Sequence, residues 1–367
     1  MLVLLNMPSQ HKGVPSGVSR FGMSLARALI KRKRHSFVLR SAHGYEDLPA
    51  DLLGMGLQLE VIDRPRYIVL DVVKQYLTMR NVCNRLGVDV ILNLDPFGAP
   101  AGAKGRAMVV HDLYFKSVPG VFDARAVATT DLIYRLMLAG NREVIAISEA
   151  TRRDLERAYP SAVGKVTTIH SDETLDISLD QPLPPPLVAG RFVLAVGNNT
   201  RNKNLGALAR AMLLVARERP DVALVHVGRD PDEEIAGILR ANKTDLSFHR
   251  LTDVNDRDLA SLYRAAVCLC VPSIYEGFCL PILEAQRQGC AVAFSDRSAI
   301  PEIAGEGGIP FNPERPEDIA LAILEIACAS DVRAGLVAKG FANASRFSWD
   351  RAAEQYEAVL ERLVTSG

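Results

Sequence analysis

Pro272-Ser-Ile-Tyr-Glu276-Gly277-Phe278-Cys279-Leu280-Pro281-Ile-Leu-Glu284-Ala285 follows the apolar run 267–271 and opens a helical pattern. It reads as strand, turn and helix. Pro281 falls in the first helical turn, where its missing N–H is harmless. A helix N-terminus carries about half a positive charge and presents N–H groups, which suits a phosphate. The backbone of Gly277, Phe278, Cys279 and Leu280 is therefore a candidate anion site. Glu276 stands just before it, placed to accept hydrogen bonds from hydroxyls. Glu284 lies about a turn inside, placed for a vicinal diol such as a ribose. An ordinary strand–turn–helix with acidic residues near its start looks the same, so the surroundings must decide.

Outward from this stretch, short apolar runs alternate with longer amphipathic ones. Residues 2–5, 90–94, 107–110 and 144–147 are strand candidates, and residues 18–29 repeat at helical spacing. After Gln181-Pro-Leu-Pro-Pro-Pro186 the pattern restarts, with strand candidates at 192–196, 222–227, 267–271 and 291–294. Four prolines in six residues suit neither a helix interior nor a central strand, so this reads as a semi-rigid linker. The expected class is α/β, with two Rossmann-like doubly wound halves facing across a cleft. The domains are expected at 1–180 and 191–346, with the linker at 181–190. A terminal helix at 347–367 has Ser348 as its N-cap.

The length of 367 residues agrees with two domains. Lys plus Arg and Asp plus Glu each total 43, which argues against a nucleic-acid partner. The zero is a sum of opposed halves: residues 1–185 carry 23 basic and 19 acidic side chains, residues 186–367 carry 20 and 24. The basic run Lys31, Arg32, Lys33, Arg34 either ends a helix, favoured by its dipole, or touches anionic lipid. The six cysteines include no C-x-x-C pair, so a reducing compartment fits better than a disulfide framework or a zinc site. With no signal peptide and no apolar run of membrane-spanning length, the expected location is cytoplasmic, with peripheral contact at the membrane face.

Three other segments can carry chemistry. Gly197-Asn-Asn-Thr-Arg201-Asn202-Lys203-Asn204 has a turn glycine followed by cations beside a helix start. Val109-Val110-His111-Asp112-Leu113 puts a histidine at a strand's carboxyl end, where near-neutral pKa suits proton handling. Gly13-Val-Pro-Ser-Gly17-Val-Ser-Arg20 follows the first strand but is not a full G-x-G-x-x-G, which disfavours a nicotinamide enzyme. Asp230-Pro-Asp232 and Asp256-Arg-Asp258 are D-x-D patterns. Each reads better as an acidic first helical turn than as a metal site.

Glu276 and Glu284 within E-G-F-C-L-P-I-L-E resemble the E-x7-E signature of retaining GT-B glycosyltransferases of family 4. The resemblance extends to Leu262-Tyr-Arg-Ala-Ala266, Gly289, Ser295, Ile300-Pro301-Glu302 and Phe347-Ser-Trp349, in order. It implies a nucleotide-sugar donor on the second domain, an acceptor on the first, and a C-terminal helix crossing back to the first. By the same resemblance His111, Glu276 and Lys203 are catalytic. Gly17, Arg201, Lys203, Gly277, Phe278, Cys279, Leu280 and Glu284 hold the donor, and no metal or other cofactor is needed. The H-D-L and E-G-F blocks resemble bacterial polysaccharide mannosyltransferases, which implies GDP-mannose and a glycan or lipid-linked acceptor. Four departures stand out: His170-Ser-Asp-Glu-Thr-Leu-Asp176 replaces P-N-G-V-D, Cys279 replaces a glycine, Gln286-Arg-Gln288 replaces a small apolar triplet, and Asn202 replaces an arginine. A non-catalytic nucleotide-sugar-binding or scaffold subunit is the alternative they raise.

Overall fold

The computed structural model describes residues 1–7, 17–42, 48–62, 67–172, 175 and 181–365. The first sheet has seven strands: β1 (Leu2–Met7), β2 (Ser36–Ser41), β3 (Gln58–Val61), β4 (Val90–Asn93), β5 (Gly105–Val110), β6 (Glu143–Ala146) and β7 (Val166–Thr168). Their order is β3-β2-β1-β4-β5-β6-β7. The second has six: β8 (Phe192–Val196), β9 (Ala223–Val227), β10 (Phe248–Leu251), β11 (Cys268–Val271), β12 (Val292–Ser295) and β13 (Gly308–Phe311), in order β10-β9-β8-β11-β12-β13. Neighbouring strands pair parallel in both. This is the expected doubly wound α/β class.

The central strands are buried on both faces, as helices on either side of a parallel sheet require. That burial explains their unbroken apolar runs. The edge strands β3, β7, β10 and β13 are only partly buried; the first three mix polar with apolar residues and β13 is the short Gly-Ile-Pro-Phe, and periodicity alone misses all four. Strand order reverses between β1 and β4 in the first sheet and between β8 and β11 in the second. Such switch points open a crevice outside the strands' carboxyl ends.

The chain divides into two compact units, Met1–Ser171 with Phe347–Gly367, and Asp172–Arg346. The proline-rich run belongs to the second unit: Gln181 N donates to Ser261 Oγ at 3.0 Å, and Gly190 N donates to Ala265 O. Asp172 is tied to it as well, by a 2.7 Å ion pair with Arg287.

The terminal helix Trp349–Thr365 packs on the helix Gly17–Lys31 of the first unit. Ser348 Oγ accepts from Arg351 N at its start. The Phe21 and Trp349 rings meet at 5.6 Å. The basic run supplies the clamp. Arg32 Nε pairs with the fully buried Glu357 at 2.7 Å, and Arg34 reaches Glu357 at 3.6 Å and Glu361 at 3.0 Å. Two of the four cations expected at a membrane are thus engaged within the fold.

Candidate active site

The second unit's switch point brings two separate stretches of sequence together. β8 ends at Val196, and the turn that follows carries Lys203. β11 ends at Val271, and the loop that follows carries Glu276. Lys203 Nζ lies 2.8 Å from Glu276 Oε1. Burial alone pushes the Lys203 pKa down. The Glu276 carboxylate more than offsets this, so the pKa is raised and the side chain is a cation at neutral pH.

Lys203 is held between two asparagines. Asn202 Nδ2 donates to Tyr275 O at 3.0 Å, and Asn204 Nδ2 donates to Pro272 O and Pro313 O. Ile274 N donates to Asn202 O. Asn202 therefore straps the lysine turn to the glutamate loop, a task that a longer arginine side chain would not do with the same geometry. Glu276 is fixed through its own carbonyl, which accepts from Ser298 Oγ at 2.7 Å.

Close backbone approach shapes the floor. Gly197 has φ +120°, and a Cβ there would lie 3.3 Å from Lys203 Cε. Gly228 has φ +147°, and a Cβ there would meet Gly197 O at 2.3 Å. Only glycine permits this contact. Beneath it, the fully buried His226 places Nε2 2.7 Å from Gly197 O. A carbonyl partner requires Nε2–H, so His226 is the neutral Nε2 tautomer. Burial lowers its pKa, and the nearby Arg250 does too; the Gly197 carbonyl and Asp230 oppose them. Sequence reasoning missed His226. The one available signal was a histidine inside an otherwise apolar strand, two residues before a turn glycine.

The helix Leu280–Arg287 starts beside this pair. Cys279 precedes it at φ +82°, the left-handed region that favours glycine, and is buried. A side chain there costs about 1–2 kcal/mol. Burial and the Glu276 charge raise the Cys279 pKa, which leaves an inert thiol rather than a nucleophile. Phe278 is buried too, so its side chain is a packing element. Glu284 is buried on the inner helix face and accepts from Tyr263 Oη at 2.7 Å. Burial, with Glu284 nearby, raises the Tyr263 pKa and keeps that donor protonated. Tyr263, also missed, orients the second glutamate. Arg201 is exposed in the lysine turn.

The polar triplet Gln286-Arg-Gln288 is structural. Gln286 Nε2 donates to Ala304 O, its Oε1 accepts from Asn343 Nδ2, and Arg287 holds Asp172. Both D-x-D patterns serve helix starts. The Asp230 carboxylate accepts from Glu234 N and Ile235 N, and from Asn199 Nδ2. Asp256 and Asp258 lie in the first turn of a helix capped by Asn255.

His111 lies beyond the carboxyl end of β5 in the first unit. Its Nε2 meets Leu94 O at 2.8 Å, and its ring meets Phe21 edge-on at 4.8 Å. Burial lowers its pKa, against the pull of the Leu94 carbonyl, Asp112 and Asp95. It is therefore neutral, with Nδ1 carrying the lone pair. Leu94 is in turn fixed by an amide network at the switch point. Leu94 N donates to Asn6 O, Asn6 Nδ2 to Asn93 Oδ1 and Gln75 Oε1, and Arg40 Nη1 to Asn6 Oδ1. Asp112 fixes the following turn by accepting from Tyr114 N. Ser148 caps the helix Glu149–Ala158. Gly17 is exposed at the start of its helix. Residues 13–16 of the glycine loop lie outside the described residues, as do Glu173, Thr174 and Asp176 of the 170–176 departure.

A cation paired with a carboxylate beside a helix N-terminus, on a switch point between parallel strands, is an arrangement that can receive an anion such as a phosphate. Solved structures share this architecture. Sucrose-phosphate synthase from Thermosynechococcus elongatus superposes with a TM-score of 0.77 at 19% identity, over 99% of this chain and 100% of that one. Anabaena HepE, solved with UDP and glucose, gives a TM-score of 0.75 at 18% identity, over 99% and 100%. The family described as "Glycosyl transferases group 1" matches residues 190–328. O-antigen chain mannosyltransferase B from Escherichia coli is 27% identical over 277 residues, 73% of each chain. The chain has the GT-B fold of these glycosyltransferases, and its residues 190–328 match the group 1 glycosyltransferases.

Proposed function

We propose that the protein transfers mannose from GDP-mannose, with retention at the anomeric carbon, to a glycan or lipid-linked saccharide in bacterial surface polysaccharide synthesis. The observation that carries the chemistry is the Lys203–Glu276 pair at the head of the helix Leu280–Arg287. As the glycosidic bond to the leaving phosphate lengthens, charge builds on the diphosphate. A raised-pKa lysine and a helix N-terminus stabilise it in place, with no metal assigned to the step. Glu276 orients sugar hydroxyls, Glu284 takes the ribose diol, and neutral His111 contacts the transferred sugar. No residue is placed as a covalent nucleophile. The donor phosphate accepts the acceptor's proton in a front-face displacement.

The sugar assignment draws on the likeness to O-antigen chain mannosyltransferase B, over nearly three-quarters of both chains. HepE was solved with UDP, so the donor test compares bases directly. A thermal-shift panel of GDP, UDP, dTDP and their sugars is the experiment. A ligand that binds the native state raises stability by RT ln(1 + [L]/Kd). GDP and GDP-mannose should give the largest shift, and GDP-mannose should be slowly hydrolysed. A larger shift with UDP replaces the donor. Tight binding with no turnover or hydrolysis would instead make the chain a binding subunit.

A further inference from the structure

Glu276 is rooted from two sides. A peptide unit is planar, so a hydrogen bond on its carbonyl restrains the whole plane. The carbonyl before the Glu276 Cα is that of Tyr275, which accepts from Asn202 Nδ2 at 3.0 Å. The carbonyl after it is Glu276's own. It accepts from Ser298 Oγ at 2.7 Å and, less closely, from Ala299 N at 3.4 Å. With both planes restrained, the Cα–Cβ bond has little freedom, and the carboxylate stays aimed at Lys203. The two anchors come from separate loops: Asn202 lies in the turn after β8, and Ser298 in the turn after β12.

Ser298 holds this place against its own backbone preference. Its φ is +56°, in the left-handed region. A side chain strains the backbone there, and such strain persists where the surroundings demand it. Glycine would adopt the same φ freely, but it has no hydroxyl for the Glu276 carbonyl. The strain is also clustered. Seven non-glycine residues among those described have positive φ. Four of them, Lys33, Glu233, Lys243 and Asp253, are exposed. The other three, Asn204, Cys279 and Ser298, are buried or half-buried and border the Lys203–Glu276 pair. Asn204 follows Lys203 directly, Cys279 lies three residues past Glu276, and Ser298 bonds Glu276 itself. Interior strain gathered around one pair of reactive groups points to a positional demand on that pair.

We propose that Ser298 is a positioning residue: its hydroxyl holds the Glu276 backbone so that the carboxylate meets the donor's sugar, and a strained serine stands in place of glycine for that bond. This rests on the proposed function, in which Glu276 orients sugar hydroxyls. Three variants separate the bond from the strain. Ser298→Ala loses the hydroxyl and keeps the strain. Ser298→Gly loses the hydroxyl and relieves the strain. Ser298→Asn suits the left-handed region and offers a side-chain N–H to the carbonyl. For each, GDP-mannose hydrolysis, GDP affinity by calorimetry and the urea midpoint are measured. A small misplacement of a reacting group is costly, so kcat should fall by about tenfold or more in Ser298→Ala and Ser298→Gly. GDP affinity should stay within about threefold of wild type, because Lys203 keeps its own straps through Asn202 and Asn204. Ser298→Gly should be at least as stable as Ser298→Ala and yet as slow. Ser298→Asn should recover about threefold in kcat over Ser298→Ala. A wild-type kcat in Ser298→Gly overturns the proposal, as does a fall in GDP affinity as large as the fall in kcat, or a Ser298→Asn no faster than Ser298→Ala. A wild type that leaves GDP-mannose intact overturns the proposed function and this proposal together, whereas an active wild type equalled by Ser298→Gly overturns this proposal alone.

Discussion

The two units place their reactive side chains by different physics. In the second unit two charged groups face each other, and Lys203 and Glu276 fix one another at 2.8 Å. In the first unit a neutral histidine is fixed by carbonyl and amide dipoles, through Leu94 back to Asn6, Asn93, Gln75 and Arg40. A charged pair is strong and local, so it fails completely when one partner goes. A dipole network is distributed, so it degrades in steps. Under the proposed function, the second unit stabilises charge and the first orients the sugar.

The largest effect should come from breaking the charged pair. Lys203→Ala and Glu276→Ala should each lower kcat by about 10²–10³, the usual cost of one charge-stabilising donor. Because the two act as a unit, the double variant should lose little more than the worse single one. Steady-state donor turnover checks both. Next comes His111→Ala, with a loss of about tenfold to a hundredfold in kcat and little change in nucleoside-diphosphate affinity. A matching fall in affinity would place His111 elsewhere.

The third effect tests the donor loop's floor. His226→Leu leaves the Gly197 carbonyl buried without its donor, which costs about 1–3 kcal/mol. Nucleoside-diphosphate affinity should fall by about tenfold, and His226→Gln, with an N–H at similar reach, should recover part of it. Equal loss in both variants would make His226 a packing residue only. A pH effect follows from the two histidines. Burial lowers the pKa of both below the ordinary value in the folded state. As pH falls through about 6.5, the unfolded chain takes up protons before the native one does, so stability drops. Urea midpoints from pH 8 to 5 should fall, and less steeply in His226→Gln. The smallest effect belongs to Cys279→Gly. Relief of the left-handed backbone is offset by a freer unfolded chain and a lost buried thiol, so stability should change by less than about 1 kcal/mol. A bulkier Cys279→Val should cost more than the glycine change.

How much was legible in sequence follows the same contrast. Most central strands were readable because burial on both faces leaves an uninterrupted apolar run, as in β1, β8 and β11, but β2, interior and carrying the buried Arg40 and Ser41, was not. The edge strands β3, β7 and β10 were not, since their exposed sides admit polar residues, and neither was β13, whose four residues include a glycine and a proline. The strand-end positions of Lys203, Glu276 and His111 were readable because each follows a strand within a short motif. Asn204, Tyr263 and His226 were not, because their partners are 21 to 109 residues away. Asn202 looked like a lost cation and is instead a strap to Tyr275. The basic run at 31–34 left open a helix-end cluster or a lipid site, and the partner that engages Arg32 and Arg34, Glu357, lies more than 300 residues downstream.

The central claim is that Lys203, held by Glu276, receives the donor's diphosphate. Calorimetric titration of wild type and Lys203→Ala tests it, using the nucleoside diphosphate that gives the largest thermal shift. The account predicts at least a thirtyfold weaker Kd in the variant, about 2 kcal/mol, with a native circular-dichroism spectrum and cooperative unfolding. Wild-type affinity in Lys203→Ala would contradict it.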